Sequence, residues 1–284
     1  MIEVISRHFC HGGDLWYFRH RSAVNDCDMR FAVFTPPQVS GGPVPVLYYL
    51  AGLTCTEETF VTKAGALEHA ARLGLMLVAP DTSPRVELPG DRASWDFGIG
   101  AGFYLDATQA PWSQHYRMYS YVVNELPGVI SANFRADRKR SGIFGHSMGG
   151  HGALTLALRN AEQYRSVSAF APISAPMQVP WGQKAFTGYL GEDRSAWSDY
   201  DACALLGKGR RFPGPVLVDQ GTSDKFLKDQ LRPELLEAAC KTAGQPLELR
   251  LHSGYDHGYF FIQTFMRDHI EWHARHLSLE TRRS

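Results

Sequence analysis

The chain has 284 residues, 44% of them hydrophobic, and its 29 Lys and Arg residues equal its 29 Asp and Glu residues. This charge balance argues against a surface built for nucleic acid or anionic membranes, so we expect neither as a partner. The length and apolar content suffice for a large core, and without internal repeats or long linkers we predict one domain over residues 1–284.

The N-terminal segment and the cysteines indicate the compartment. The N-terminus lacks the charged-then-apolar pattern of a signal peptide, and no apolar run approaches the roughly 20 residues that a membrane-spanning helix needs. The five cysteines are an odd number at wide spacing, which fits reduced thiols better than disulfides. We therefore expect a cytoplasmic protein.

The elements are predicted in chain order from apolar runs and their spacing. Strands are expected at two places within residues 1–35, of which 29–34 is the clearer, and then at 44–50, 75–79, 141–144, 166–171, 215–219 and 247–251. Helices are expected at 65–72, 116–134, directly after residue 147, at 229–243 and at 259–276. This alternation predicts an α/β fold, a mostly parallel central sheet flanked by helices.

Two stretches interrupt the alternation. Residues 81–115 are long and without periodicity, which is typical of a lid or of the wall of a substrate pocket. Residues 172–212 predict a small helical excursion over the site. Trp181 lies in this excursion, and the sequence favours equally a pocket wall and simple packing for its ring.

His8, Cys10 and His11 are the one closely spaced group of metal-binding side chain types near the N-terminus. A metal site there is an alternative, but such close spacing on an expected edge strand does not favour it. We therefore predict no metal site.

The motif Gly145-His146-Ser147-Met148-Gly149 lies between a predicted strand and a predicted helix. This G-x-S-x-G arrangement is typical of a nucleophile elbow, in which the serine occupies a strained turn and flanking glycines avoid collisions. The turn also places Ser147 at a helix N-terminus, where free N–H groups favour negative charge. The sequence therefore predicts Ser147 as a nucleophile.

Two backbone N–H groups are candidates for an oxyanion hole. The N–H of Met148 directly follows the serine, and the loop after the strand at 44–50 matches the position of the second donor in α/β-hydrolases. In that loop the N–H of Leu53 is the predicted donor, although the loop could also be an ordinary glycine-containing connection.

In the α/β-hydrolase fold the acid and the base follow the serine in that order along the chain. Asp224 is the predicted acid because it lies on a loop beyond a buried strand, and Asp219, nearer the strand itself, is the alternative. His257 is the predicted base because it lies on the loop after the last strand. His146 and His151 adjoin the serine and are expected to pack. For His269, His273 and His276, which fall on one face of a predicted helix, a solvated or a structural role is expected.

Several motifs together resemble the S-formylglutathione hydrolases of the esterase D family. They are Leu53-Thr54-Cys55-Thr56, Pro80-Asp81-Thr82-Ser83-Pro84-Arg85, residues 98–104, Gly145-His146-Ser147-Met148-Gly149-Gly150-His151-Gly152, Trp181-Gly182, Tyr189-Leu190-Gly191 and Tyr255-Asp256-His257. The resemblance extends over nearly the whole chain in matching order.

The resemblance implies hydrolysis of S-formylglutathione to glutathione and formate, the last step of glutathione-dependent formaldehyde detoxification. It also implies Ser147, Asp224 and His257 as a catalytic triad, a homodimer, no cofactor, and a cysteine, Cys55, beside the site. A general short-chain carboxylesterase or acyltransferase is the alternative activity, and a noncatalytic protein of the same fold is a third hypothesis.

Glutathione carries two carboxylates and one ammonium group, so a cation near the site would help to orient it. Lys63, Arg85 and Lys184 are the candidates for that cation, although each is also typical of a solvated surface charge. Two positions depart from the family pattern near the presumed site loops. Thr59 replaces a common Asn, and Gly258 replaces a common Ser after the histidine.

Overall fold

A computed structural model describes residues 2–89 and 94–278. Within these residues a nine-stranded sheet has the order β1-β2-β3-β5-β4-β6-β7-β8-β9. The strands are β1 Ile2–Cys10, β2 Gly13–Ser22, β3 Cys27–Thr35, β4 Val44–Leu50, β5 Met76–Pro80, β6 Ala136–His146, β7 Ser166–Phe170, β8 Val216–Gly221 and β9 Leu247–His252.

The N-terminal part of the sheet is antiparallel and contains three strands where the sequence predicted two. β1 pairs with β2, β2 with β3, and β3 with β5, all antiparallel. β1 lies at the edge of the sheet with most of its residues exposed. The sequence of β1 therefore shows little of the alternation between apolar and polar residues from which strands are predicted.

From β5 to β9 the sheet is parallel, as predicted. β4 pairs with β5 and β6, and β6, β7, β8 and β9 follow in order. β4, β5, β7 and β8 are buried along their whole length. Continuous burial is expected for parallel strands that helices cover on both faces, and it explains their uninterrupted apolar runs.

The helices flank the sheet. They are α1 Glu57–Lys63, α2 Ala66–Leu73, α3 Met118–Ser120, α4 Leu126–Asn133, α5 Met148–Arg159, α6 Pro180–Leu190, α7 Arg194–Trp197, α8 Ala202–Gly207, α9 Pro233–Ala243 and α10 Tyr259–Ser278. The short helix α1 was not predicted. A π-helical segment, Tyr121–Glu125, joins α3 to α4, and Pro127 lies in the first turn of α4.

The helical excursion predicted at 172–212 is present as α6 to α8. The irregular segment before it packs onto α6: the ring of Phe97 stacks on Tyr189 at 4.5 Å between centroids and meets Trp112 edge-on at 5.0 Å. A side chain at Gly188 would collide with the Phe97 ring. Part of the predicted 81–115 segment, residues 90–93, lies outside the described residues.

The carboxyl ends of β4, β6, β8 and β9 meet at one edge of the sheet, and the loops that follow them carry the predicted site residues. Ligand sites in open α/β sheets form at this edge. The chain has the α/β-hydrolase fold. Among the described residues, no helix has both the length and the apolar character needed to cross a bilayer.

Candidate active site

Ser147 occupies a strained turn between β6 and α5. Its φ of 58° and ψ of −119° are unusual for a residue with a side chain, and such a conformation costs about 1–3 kcal/mol. A Cβ at Gly149 would collide with the carbonyl oxygen of Leu50, and one at Gly145 would collide with the carbonyl oxygen of Gly149. The two motif glycines are therefore required because neighbouring backbone leaves no room for a side chain.

Two backbone N–H groups lie close to this turn. Met148 is the first residue of α5, where N–H groups have no acceptor within the helix. A Cβ at Gly52 would lie 3.2 Å from the Cβ of Ser147, so the loop with Leu53 runs directly beside the serine. Within the described part of the chain, the N–H groups of Leu53 and Met148 have no hydrogen-bond acceptor.

Asp224 and His257 form a short hydrogen bond. The Nδ1 of His257 lies 2.6 Å from the Oδ2 of Asp224, whose side chain is fully buried. Because a carboxylate only accepts, Nδ1 carries the proton and Nε2 is left with a free electron pair. The N–H of Phe226 donates to Oδ1 of Asp224 at 2.8 Å, and Nε2 of Gln220 donates to Oδ2 at 3.3 Å, which fixes the carboxylate.

The loops that carry Asp224 and His257, the predicted acid and base, are joined by backbone hydrogen bonds. The N–H of Thr222 donates to the carbonyl of His252 at 2.9 Å, and the N–H of Ser223 donates to the carbonyl of Tyr255 at 2.9 Å. A Cβ at Gly221 would collide with the Tyr255 carbonyl. The two loops therefore hold a fixed spacing, which preserves the bond between Asp224 and His257.

Asp219, the alternative acid, has other partners. Its carboxylate binds the guanidinium of Arg250 at 2.6 Å and 2.7 Å, and Nε2 of His252 and of His269 lie 3.3 Å and 3.4 Å away. These partners hold the pKa of Asp219 well below its usual range against the effect of burial. The carboxylate thus belongs to a buried ion-pair network, separate from His257.

His146 and His151 are both buried beside Ser147 in sequence. The ring of His146 lies 4.5 Å from the ring of His257 between centroids, and burial followed by the charge of His257 holds the pKa of His146 well below the ordinary value. Nε2 of His151 donates to the carbonyl of Phe103 at 3.1 Å, and burial lowers the pKa of His151 to about 4. Both rings are therefore neutral near pH 7.

Two of the three histidines of α10, His269 and His273, have a structural role, which is one of the two roles expected for them. Nδ1 of His269 and Nε2 of His273 each lie 2.8 Å from Oγ of Ser168, and Nδ1 of His273 lies 2.6 Å from Oγ of Ser166. This network anchors α10 to β7.

Cys55 lies in the same loop as Leu53. Its Sγ lies 4.0 Å from the hydroxyl of Tyr259, and burial raises the pKa of the thiol although Tyr259 and Thr59 oppose this. The thiol is therefore predominantly protonated near neutral pH. Oγ1 of Thr59 accepts a hydrogen bond from the N–H of Thr56 at 3.0 Å, so this departure from the family pattern caps α1.

Trp181 is packed rather than open to solvent, with 6% of its surface exposed. Its ring lies 4.6 Å from the ring of Phe226, which meets His257 edge-on at 5.1 Å. Trp95, 55% exposed, covers Trp181 edge-on at 5.5 Å. Trp181 is thus packed, one ring away from His257, and its role as a pocket wall stays a prediction.

The three candidate cations differ in how they are held. Lys184 pairs with Asp96 at 2.5 Å. Arg85 pairs with Asp81 at 2.6 Å, and its Nη2 also donates to the carbonyl of Cys55 at 3.0 Å. Lys63 has no carboxylate partner in residues 2–89 and 94–278, and its ammonium lies 6.0 Å from the centroid of the Tyr259 ring.

Sequence reasoning missed Phe226 as a neighbour of the base, although its position two residues after Asp224 offered a signal. The departure at Gly258 has a local effect, since a Cβ there would lie 3.1 Å from Oδ1 of Asp256, which accepts from the N–H of Gly258.

The structure groups no three His, Cys, Asp or Glu side chains for a metal ion within the residues it describes.

Comparisons with known proteins identify the family to which the chain belongs. The family model Esterase matches residues 22–272. The S-formylglutathione hydrolase of Rattus norvegicus is 51% identical over 98% of this chain and 99% of its own length. That of Paracoccus denitrificans is 51% identical over 97% of this chain and 98% of its own length.

A solved structure agrees with both. The S-formylglutathione hydrolase from Agrobacterium tumefaciens superposes with a TM-score of 0.95 at 51% identity, covering 97% of this chain and 99% of its own. Identity of this order over nearly full length on both sides confirms the resemblance inferred from the motifs. The chain belongs to the esterase family and, within it, to the S-formylglutathione hydrolases.

Proposed function

We propose that this chain hydrolyses S-formylglutathione to glutathione and formate with Ser147 as nucleophile, His257 as base and Asp224 as the acid that orients it. The observation that carries the proposal is the 2.6 Å bond between His257 and Asp224 at the same sheet edge as the strained Ser147 turn. The full-length similarity to S-formylglutathione hydrolases supports the choice of substrate.

In the acylation step, the oxygen of Ser147 attacks the formyl carbon while Nε2 of His257 takes its proton. The N–H groups of Leu53 and Met148 are proposed to bind the resulting oxyanion, and losing one such donor typically costs about 3–4 kcal/mol. The C–S bond then breaks and the sulfur takes the proton from His257. A thiol with a pKa near about 8.5 leaves far more easily than an amine, which suits a thioester substrate.

In the deacylation step, water attacks the formyl ester on Ser147. His257 accepts the water proton and returns it to the serine oxygen as formate leaves. Asp224 keeps Nδ1 protonated throughout, so that Nε2 always faces the reaction. The neutral ring of His146 packs against His257 without competing for the proton, because its pKa is held below the neutral range.

Cys55, Trp181, Lys63 and Lys184 are proposed to lie around the substrate. Lys63 is the best placed to meet a carboxylate of glutathione, since Lys184 already pairs with Asp96.

We also propose one cytoplasmic domain that acts as a homodimer in formaldehyde detoxification. The five free cysteines fit a reducing compartment, and light scattering would test the dimer.

The test compares specificity constants for S-formylglutathione and p-nitrophenyl acetate. We expect the thioester to be preferred by a large factor, and Ser147→Ala to abolish the hydrolysis of both. A preference for the simple ester would replace this function with a general carboxylesterase. Full activity in Ser147→Ala would overturn the assignment of the nucleophile.

A further inference from the structure

A cleft of about 690 Å³ opens beside the loop that carries Leu53. We call it the charged cleft, and its walls come from the end of β2, the start of β3, the first turn of α1 and the loop after β5. The charged residues used below are Arg30, Glu57, Asp81 and Arg85. The proposed mechanism assigns no role to this cleft.

One wall of the charged cleft holds a buried acid, Glu57, whose carboxylate bonds to its own backbone N–H but forms no ion pair with the described residues. Glu57 is 3% exposed, and no cationic side chain of the described residues lies within ion-pair distance of its carboxylate. The adjacent acid, Asp81, is already paired with Arg85 at 2.6 Å. Burial of an unpaired carboxylate is costly, so this position favours a cation supplied by a ligand.

The electrostatic surroundings of Glu57 agree with this geometry. Burial, and then the nearby charge of Asp81, raise the pKa of Glu57, whereas the charge of Arg30 opposes the rise. Arg30 is exposed at the start of β3, and no hydrogen bond or ion pair of its guanidinium occurs within residues 2–89 and 94–278. The cleft therefore presents to one ligand a carboxylate and a guanidinium that form no ion pair with the described residues.

The charged cleft lies within reach of the reaction centre. The carbonyl of Arg30, within β3, accepts from the N–H of Asp81 at 3.0 Å, which places Arg30 beside the carboxyl end of β5. Ser147 follows β6, three strands from β3 in the sheet order, or about 14 Å at about 4.8 Å per strand. The thioester is on the central cysteine of glutathione, so the arm that extends toward the cleft comprises two residues and spans roughly 7 Å. The long Arg30 side chain covers the rest.

We infer that the charged cleft binds the γ-glutamyl end of the glutathione moiety of the substrate, with its ammonium at Glu57 and its α-carboxylate at Arg30. Only the γ-glutamyl end of glutathione carries both charges, so this end lies in the cleft while the thioester lies at Ser147. The carrier crosses the loop at Thr54, an exposed residue. Arg85 links the two regions, because it lines the cleft and bonds to the carbonyl of Cys55. This assignment rests on the proposed function.

Glu57→Gln and Arg30→Gln test the charged cleft, with Glu68→Gln and Arg138→Gln as controls at exposed positions outside it. We expect each cleft variant to lower the ratio of kcat/KM for S-formylglutathione to kcat/KM for p-nitrophenyl acetate about tenfold, mainly through KM, because a charge-assisted contact is lost. The controls keep the wild-type ratio. An unchanged ratio in both cleft variants overturns the inference.

A substrate without the ammonium group gives a second, independent measurement. The S-formyl thioester of glutaryl-cysteinyl-glycine retains the carboxylates, so the wild type is expected to lose about tenfold on it, and Glu57→Gln is expected to lose nothing further. An additional loss in Glu57→Gln overturns the pairing. If the wild type does not cleave S-formylglutathione at all, the proposed function fails. Inhibition of ester hydrolysis by glutathione, weakened in Glu57→Gln, would then still support the cleft.

Discussion

Two aspartates five positions apart on the chain, Asp219 and Asp224, are expected to respond oppositely to replacement by asparagine. Asp219 is fully buried and holds Arg250 through two hydrogen bonds at 2.6 Å and 2.7 Å. Asp224 is also fully buried, but it holds His257 at 2.6 Å. The first interaction stabilises the fold, and the second is proposed to support catalysis.

For Asp219→Asn the expected loss is in stability. Breaking a buried ion pair costs about 3–5 kcal/mol, and we take about 3 kcal/mol because Arg250 keeps Asp268 as a partner at 3.0 Å. At roughly 2–4 °C per kcal/mol for a chain of this size, Tm falls by about 6–12 °C. At 25 °C, kcat is expected to stay close to the wild-type value.

For Asp224→Asn the expected loss is in the reaction. An amide in place of the acid allows the wrong tautomer of His257, and the corresponding change in a Ser-His-Asp protease lowers kcat by about 10⁴. That factor corresponds to about 5.5 kcal/mol of barrier. Tm is expected to change by only a few degrees.

Two measurements on both variants test this contrast between stability and catalysis. They are thermal unfolding and the steady-state hydrolysis of p-nitrophenyl acetate. The pH dependence adds a check. Because the folded-state pKa of Asp219 is lowered, its contribution is complete above the unfolded value near about 3.9 and is lost as pH falls toward the folded value. The Tm difference between wild type and Asp219→Asn should therefore narrow below about pH 4. An inactive Asp219→Asn with normal Tm would refute the reasoning.

Three further outcomes are expected. Gly149→Ala should lower the free energy of unfolding by more than the about 1–3 kcal/mol of ordinary overpacking, because its Cβ meets the backbone of Leu50. Gly128→Ala has open space around it and should be neutral or slightly stabilising. Equal Tm values of the two variants would contradict this. Alkylation of Cys55 should block turnover. The rate of alkylation should rise at pH values above the ordinary thiol pKa near about 8.5, since burial raises the pKa of this thiol. Full turnover of completely alkylated enzyme, with Cys55→Ala as the control, would contradict this prediction. Activity should fall from formyl to octanoyl thioesters if the acyl pocket is tight, and equal rates would refute that.

Strong local signals made most of the parallel sheet predictable. The apolar run at 44–50 and the G-x-S-x-G motif each depend on neighbours in sequence, and the structure places a buried β4 and the Ser147 turn there. The acid was harder to select, since Asp219 and Asp224 both lie near the end of β8. Only the position of Arg250 on the neighbouring strand shows that Asp219 is already engaged.

Features that depend on distant partners escaped prediction. β1 is largely exposed and is held by its pairing with β2, so its own residues carry a weak pattern. The charged cleft combines Arg30, Glu57 and Asp81, which three separate segments contribute. No local spacing relates such residues, because the sheet order brings β3 next to β5 across intervening chain.

The placement of the site across the sheet has a consequence for inactivation by heat. Ser147 follows a central strand, whereas His257 follows β9, which has a neighbour on one side only. Strands at a margin open with a smaller free energy than central ones. We therefore expect mild warming to move His257 away from Ser147, its proposed partner, while the central strands stay folded. Turnover should then be lost at a lower temperature than the circular dichroism signal.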